Sequence, residues 1–413
     1  MTFDYASFFR RDLPAPAAKW SQFPRYNFVG GHNDADCVPV DRLAEAARDA
    51  VLREGRTLAT YRQNNGPQGY LGLREFIAAK LQTRARMPCT ADDILVTTGS
   101  MQALDLVNAA FLEAGDTVLV EADCYGGALS GIAAAGAVAI GIEMDEQGMR
   151  MDCLASVLDD LKARAVRPKF LYTIPTVQNP TGTVLPRERR LEMLRLAAVH
   201  DLPIFEDDCY ADLLWEGDRP PAIRALDEDG RVIYCGSFSK SIAPALRVGY
   251  AVAEWPVLSR LLALKRDAGS GALEQMTLAA LGVEGFDEHV STLSQGLREK
   301  CALMMSALDE HFGTAATFSA PKGGIFLWVA LPSSVDTTSL AEAALKEGLA
   351  INPGAEWSTD ETGGRRRLRL CFANPSKETI RDGIARLAEI CHRETGIPAR
   401  SANVERSVVQ GNS

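Results

Sequence analysis

One amine in this sequence sits where a solvated charge would not. Residues 236–250 read GSFSKSIAPALRVGY, and Lys240 stands among Phe238, Ile242, Ala243 and Pro244 rather than among charged, helix-forming neighbours. An amine that must attack a carbonyl works best when its pKa is lowered, by desolvation or by nearby positive charge. Lys240 has both, in its apolar neighbours and in Arg247. The Ser237 and Ser239 hydroxyls, with the Arg247 guanidinium, could grip a phosphate beside it. Lys240 is therefore a candidate Schiff-base lysine.

Other polar residues fall just after apolar runs. FEDDCYADL places Glu206, Asp207 and Asp208 at the end of one, where burying a carboxylate is costly unless a cation joins it. Asp207 invites a buried positive partner, and at least one of Glu206 and Asp208 is expected at the surface. In IPTVQNPTG, Asn179 precedes a proline; it either aims its amide at a strand-end crevice or makes a simple Asn-Pro turn. DILVTTGSMQALDLV sets Gly99 and Ser100 between a strand and a helix, which is either a phosphate cradle or an ordinary turn. Tyr125, in ADCYGGAL, either stacks on a planar ring or packs in the core. The five histidines are dispersed and none of the nine cysteines forms a Cys-x-x-Cys pair, so no metal is expected.

These residues need elements to hold them. DRLAEAARDAVLREG, from Asp41, reads as an amphipathic helix with an Asp cap and a Gly stop. A Gly/Asn/Gln-rich loop over Thr57–Gly72 leads to a second helix ending near Arg86. The middle of the chain then alternates short apolar runs (TVLVEA, AVAIGIEM, KFLYTIP, LPIFEDD, RVIYCGSFSK) with helical patterns, which predicts a mostly parallel sheet buried on both faces. Ligands gather at the carboxyl ends of such strands. A long helix over Phe286–Phe312 and the order strand, helix, strand, strand, helix after it predict a smaller α+β domain. The expected division is a large domain over 50–285, a small domain from 1–49 and 286–395, and a mobile polar tail over 396–413.

The totals limit the partners. With 44 basic against 54 acidic residues the chain carries −10 at neutral pH, which repels a phosphate backbone and argues against nucleic acid. No run of 18 apolar residues and no signal peptide is seen, and the unpaired thiols fit a reducing compartment, so a cytoplasmic protein with no membrane partner is expected.

Taken in order, Gly99-Ser100, Tyr125, Asn179, Asp207, Tyr210, Ser237, Lys240 and Arg247 resemble the fold type I pyridoxal-phosphate enzymes, specifically the class I/II aminotransferases of the 2-aminoadipate/aromatic branch. The likeness covers nearly the whole chain: GSxQALDL, NPTG, EDDxY, SFSKxxxPxLRxGY, P-x-GG-x-F-x-W and LRLxF all occur. It implies an α/β fold with a mixed, mostly parallel sheet flanked by helices, and pyridoxal 5'-phosphate as cofactor. Lys240 would hold the cofactor and then shuttle a proton, Asp207 would pair with the ring nitrogen, and Asn179 and Tyr210 would bond the phenolic oxygen. Tyr125 would stack on the ring, while Gly99, Ser100, the Met101 backbone, Ser237, Ser239 and Arg247 would take the phosphate. Arg369, in LRLCF, would bind the substrate α-carboxylate, Asn179 would lie against it, and Gly31, in FVGGHNDAD, would touch substrate.

Tyr61 aligns with a tyrosine that reaches the other subunit's phosphate, which implies a homodimer with a shared site. Met101 and Cys209 depart from the family pattern. The activity implied is transfer of an amino group from an α-amino acid to a 2-oxo acid by a ping-pong mechanism. The same residues serve a β-eliminating lyase, the alternative reading. A cofactor-sensing transcription regulator fits less well, since about 40 residues precede the first helix and the charge is acidic. A second cation for a dicarboxylic side chain is open among Arg10, Arg11, Arg25 and Arg62.

Overall fold

The computed structural model describes residues 3–9, 13, 16–17, 19–20, 22–61, 65–283 and 285–399. A short strand, β1 (Tyr26–Asn27), precedes α1 (Val40–Glu54) and α2 (Leu71–Arg84). The expected Gly stop holds, Gly55 being the C-cap of α1 with its N–H on the Val51 carbonyl, but the expected Asp cap does not. Pro39 is its N-cap, Asp41 lies in the first turn, and Gly55 keeps φ at −55°. The exit continues into a 3-10 turn over Gly55–Ala59, where the Thr57 hydroxyl donates to the Glu54 carbonyl at 2.8 Å.

The alternating stretch folds as the pattern predicts. In chain order it runs β2 (Ile94–Thr97), α3 (Ser100–Phe111), β3 (Thr117–Glu121), α4 (Gly126–Ala134) and β4 (Val138–Ile142). A small hairpin of β5 (Met144–Asp145) and β6 (Gly148–Met149) follows, then α5 (Met151–Ala163), β7 (Leu171–Thr173), α6 (Arg187–Val199), β8 (Ile204–Asp207) and α7 (Ile223–Leu226). The lobe closes with β9 (Val232–Ser237), β10 (Gly249–Val252), α8 (Trp255–Leu264) and α9 (Ala272–Val283). Seven strands form one sheet in the order β2-β10-β9-β8-β7-β3-β4. All neighbours are parallel except β10, which runs antiparallel to both β2 and β9. Strands β2, β7, β8, β9 and β10 are buried along their whole length, as Val- and Ile-rich runs between two helix layers must be.

A second lobe follows the 27-residue α10 (Phe286–Phe312). It comprises β11 (Thr317–Phe318), β12 (Phe326–Ala330), α11 (Thr337–Lys346), β13 (Leu349–Ala350), β14 (Asn352–Pro353), α12 (Glu361–Gly364), β15 (Arg367–Cys371) and α13 (Lys377–Thr395). An antiparallel sheet of order β11-β12-β15-β14 packs under α13. The α13 stripe of Ile380, Ile384, Leu387 and Cys391 recurs at helical spacing and is wholly buried, facing α10. β1 pairs in parallel with β13, Tyr26 against Leu349, while α1 packs against α9. Among the described residues no helix is long and apolar enough to cross a membrane.

Candidate active site

The polar residues singled out in the sequence meet at one edge of the large sheet. Gly99 follows β2, Tyr125 follows β3, Asn179 follows β7, Asp207 ends β8, and Ser237 ends β9 three residues before Lys240. Parallel strands deliver their carboxyl ends to the same side, so positions dispersed in sequence share one crevice.

Lys240 is half-buried, and its Nζ donates to the Gly31 carbonyl at 2.7 Å. Burial holds the amine below the ordinary lysine value; Cys209 and Cys371 oppose this, and Arg369 and Arg247 add to it. Asn33, on the same N-terminal segment as Gly31, donates to the carbonyls of Lys240 and Ile242 at 3.2 and 3.3 Å. A β-carbon at Gly31 would press into the amine. A larger residue there would push the Lys240 side chain out of this position.

Asp207 is 4 % exposed. Its carboxylate accepts from the Tyr172 hydroxyl at 2.9 Å and from the Cys209 backbone N–H at 3.3 Å. Burial raises the carboxyl above its usual range against the pull of those bonds. No cation among the described residues pairs with it, so a cation arriving from outside would be stabilised there. The thiols of Cys209 and Cys235 lie within 4.8 Å of it, and both are held protonated: mutual hydrogen bonding and burial raise Cys209, and burial raises Cys235.

The expectation that Glu206 or Asp208 lies at the surface is wrong. Both are buried, because the chain supplies each with partners. Glu206 points to the other face of the sheet and accepts from the Ile223 and Arg224 backbone N–H groups at 2.8 and 2.9 Å, with its pKa pushed up to about 7 chiefly by burial. Asp208 takes the Arg219 guanidinium at 2.6 Å and the Tyr234 hydroxyl at 3.2 Å.

A corner rich in hydrogen-bond donors lies at the start of α3. Gly99, at φ +75°, is the N-cap of α3 with no side-chain cap, so the first-turn N–H groups of a 12-residue helix stay open. Arg247 adopts a left-handed conformation, φ +52°, and lays its guanidinium over Gly99, donating to the Thr98 carbonyl at 3.3 Å. Ser237 and Ser239 are buried beside β10, the Ser237 hydroxyl accepting from the Ser239 N–H at 3.0 Å. Ser100 begins α3, and Met101 accepts the Tyr125 hydroxyl on its sulfur at 3.3 Å.

Opposite Lys240 stands Arg369, on β15 of the second lobe and 3 % exposed. Its guanidinium donates to Asn179 Oδ1 at 3.1 Å, Asn352 Oδ1 at 2.8 Å and the Gly30 carbonyl at 3.2 Å. It lies 3.7 Å from the Trp357 ring centroid and 4.1 Å from that of Phe326, and its Nε is buried without a partner. No carboxylate among the described residues neutralises it. A sequestered guanidinium with only neutral partners is set for an incoming acid. Asn179 ties the two sides together, since its Nδ2 also donates to the Tyr210 hydroxyl at 3.4 Å. Lys240, Tyr210, Tyr125 and Arg369 share the walls of a cavity of about 630 Å3.

Some expected residues do not converge. Tyr61 is 84 % exposed and does not line this cavity. Arg25 stacks over Tyr26 at 4.9 Å, also away from the cavity walls, and Arg10, Arg11 and Arg62 lie outside the described residues. Other residues that build the site carry no sequence signal. Tyr172 reaches Asp207 from the neighbouring strand. Gln178 donates to buried Glu121 at 3.0 Å and to the Asp123 carbonyl at 2.7 Å, which fixes the turn holding Asn179. Asn352, Glu356, Trp357 and Ser130 complete the cavity wall.

The profile of the family described as aminotransferase class I and II matches residues 27–387. A 2-aminoadipate transaminase of Thermus thermophilus is 35 % identical over 87 % of this chain and 88 % of its own length. An aromatic-amino-acid aminotransferase of Thermococcus litoralis is 33 % identical over 89 % and 88 %. The solved alpha-aminoadipate aminotransferase of Thermus thermophilus, complexed with N-(5'-phosphopyridoxyl)-L-leucine, superposes with a TM-score of 0.81 at 35 % identity, covering 89 % of this chain and 92 % of that one.

Proposed function

Because this chain belongs to the aminotransferase class I and II family, we propose specific roles for its side chains in moving an amino group from an α-amino acid to a 2-oxo acid. The chain is a pyridoxal 5'-phosphate-dependent aminotransferase. When bound, that cofactor supplies an aldehyde to carry the amino group and an electron-poor ring to hold the charge left on the substrate Cα.

The residues fit the group. Asp207 is a buried carboxylate without a cation, suited to a protonated ring nitrogen. The open N–H groups of α3 at Gly99, Ser100 and Met101, with Arg247, Ser237 and Ser239, suit a phosphate. Tyr125 would flank the ring, and the Asn179 amide with the Tyr210 hydroxyl suits a phenolic oxygen. Lys240 would hold the cofactor through Nζ and, once freed by the incoming amine, would take up and hand back the proton of the substrate Cα. Burial lowers the lysine's pKa from the ordinary value, which favours the uncharged, nucleophilic form. Arg369 orients the substrate by gripping the α-carboxylate through two N–H groups, while Asn179 holds the guanidinium in plane. The Gly31 carbonyl steadies the free amine.

The observation that carries this reading is Arg369, buried without an acid partner in the wall shared with Lys240. We assign the protein to the cytoplasm as a homodimer without nucleic-acid or membrane partners, with no metal, and with lobes over 50–285 and over 1–49 with 286–395. The net charge of −10 supports the exclusion of nucleic acid.

Incubating the protein with amino acids plus 2-oxoglutarate or pyruvate should give stoichiometric keto acid and new amino acid. Free ammonia in place of a new amino acid would assign it to the eliminating lyases. Lys240→Ala should fold and retain the phosphate corner yet lose turnover by at least about a thousandfold; near-normal turnover would remove Lys240 from the mechanism.

A further inference from the structure

The cavity holds one ionisable group that the roles above do not use. Beyond Lys240 and Arg369, Glu356 is the remaining charged residue among the described residues of its wall. It lies in the 3-10 turn Gly354–Trp357, directly before the Trp357 ring on which Arg369 stacks. Its backbone carbonyl sits against Gly126 at the start of α4, so tightly that a β-carbon there would come to 2.7 Å. That contact fixes the turn against the large lobe and sets Glu356 at the rim, with Gly126, Gly127 and Ser130 opposite as the small-residue side of the cavity. The Glu356 side chain is exposed, and no described residue forms an ion pair or hydrogen bond with it.

The two cations of the wall are committed, Arg369 to the substrate α-carboxylate and Lys240 to the cofactor and the Cα proton. What remains for the substrate's side chain is a cavity with the aromatic Trp357 and Tyr125 and the exposed, unpaired Glu356 in its wall. Arg25, the described candidate for a second carboxylate-binding cation, lies elsewhere. The chain's charge of −10 also disfavours a donor of net negative charge and favours a cationic one.

We propose that Glu356 gives this cavity a preference for amino donors whose side chains end in a positive charge, and against donors with a second carboxylate. The proposal rests on the aminotransferase reading of the same site.

The test is the half-reaction, in which the holoenzyme is mixed with one amino acid and no oxo acid, and the change in cofactor absorbance is followed. Donors are arginine and ornithine (cationic), leucine (neutral) and 2-aminoadipate and glutamate (dicarboxylic), against wild type, Glu356→Gln and Glu356→Lys. In wild type the rate constants should fall in the order cationic, neutral, dicarboxylic. Glu356→Gln should lower the ratio of cationic to neutral donors by about fivefold, the size of a partly screened ion pair, and Glu356→Lys should invert the ratio of cationic to dicarboxylic donors. Raising the salt should shrink these differences. A wild-type preference for dicarboxylic donors, or ratios unchanged in both variants, overturns the proposal. Failure of every donor to change the absorbance would instead sink the aminotransferase assignment itself.

Discussion

Arg369 concentrates the logic of the site in one side chain. A guanidinium this deeply buried is expensive to leave without an anion, yet its partners are two amides, a carbonyl and two aromatic faces. Arg369→Ala should cut kcat/KM for the amino donor by about 100-fold or more, the usual cost of truncating one half of a buried charge pair, while leaving a decarboxylated amine donor little affected. Steady-state kinetics with both donors separates the two. Glu121 is the other buried charge with a consequence. It accepts from Thr173 Oγ1, the Ile174 N–H and Gln178 Nε2, yet burial still pushes its pKa from 4.5 up to about 7. A carboxyl raised in the folded state binds more protons there than in the unfolded chain, so its contribution to stability is present below about 4.5 and is lost as pH rises through about 7. The loss amounts to no more than about 3 kcal/mol. Denaturant titrations between pH 4.5 and 7.5 should therefore show a more negative pH slope for wild type than for Glu121→Gln, which cannot ionise; equal slopes would mean that Glu121 is ionised throughout.

Among the elements, the junction of β2, α3 and β10 decides whether a phosphate can sit. Gly249 begins β10 with its α-carbon packed so closely that an added β-carbon would lie 2.6 Å from the Gly99 carbonyl carbon and the Ser100 nitrogen. Those are backbone atoms and cannot turn away. Gly249→Ala should thus shift the first turn of α3, costing about 1–3 kcal/mol and weakening pyridoxal phosphate binding by tenfold or more, as read by equilibrium dialysis. This junction also shows what the sequence discloses. The strands and their order of use were legible from apolar runs separated by helical patterns, and Lys240 and Asp207 stood out because each contradicted its surroundings. Arg369 stood out only through its match to the LRLxF motif: it is one of four arginines in RRRLR, and local pattern alone does not decide which is buried. Tyr172 and Asp207 meet across neighbouring parallel strands, a pairing that local periodicity does not encode. The burial of all three acids in FEDD was missed for the same reason, since their donors come from Arg219, Tyr234 and the first turn of α7.

At the scale of the whole molecule, Tyr61 is the residue that bears on assembly. It is 84 % exposed and contributes nothing to the cavity of its own protomer. If the assembly is a homodimer with shared sites, Tyr61→Phe should lower cofactor affinity severalfold although the residue lies on the surface. A mixture of Tyr61→Ala and Lys240→Ala subunits should recover activity in the hybrid. Sedimentation of a monomeric, fully active enzyme would contradict both expectations.

The segment from β1 to Asn33 hangs by its backbone from β13 in the second lobe and ends on Lys240 in the first. Arg369 also grips it, through the Gly30 carbonyl. Any rotation between the lobes must accordingly tug on the nucleophile's resting tether, and any capture of an acid by Arg369 competes for the same cord. The enzyme's posture and the readiness of its amine are mechanically one variable, so a mutation far out on the β1–β13 seam should be felt first at the nitrogen it never touches.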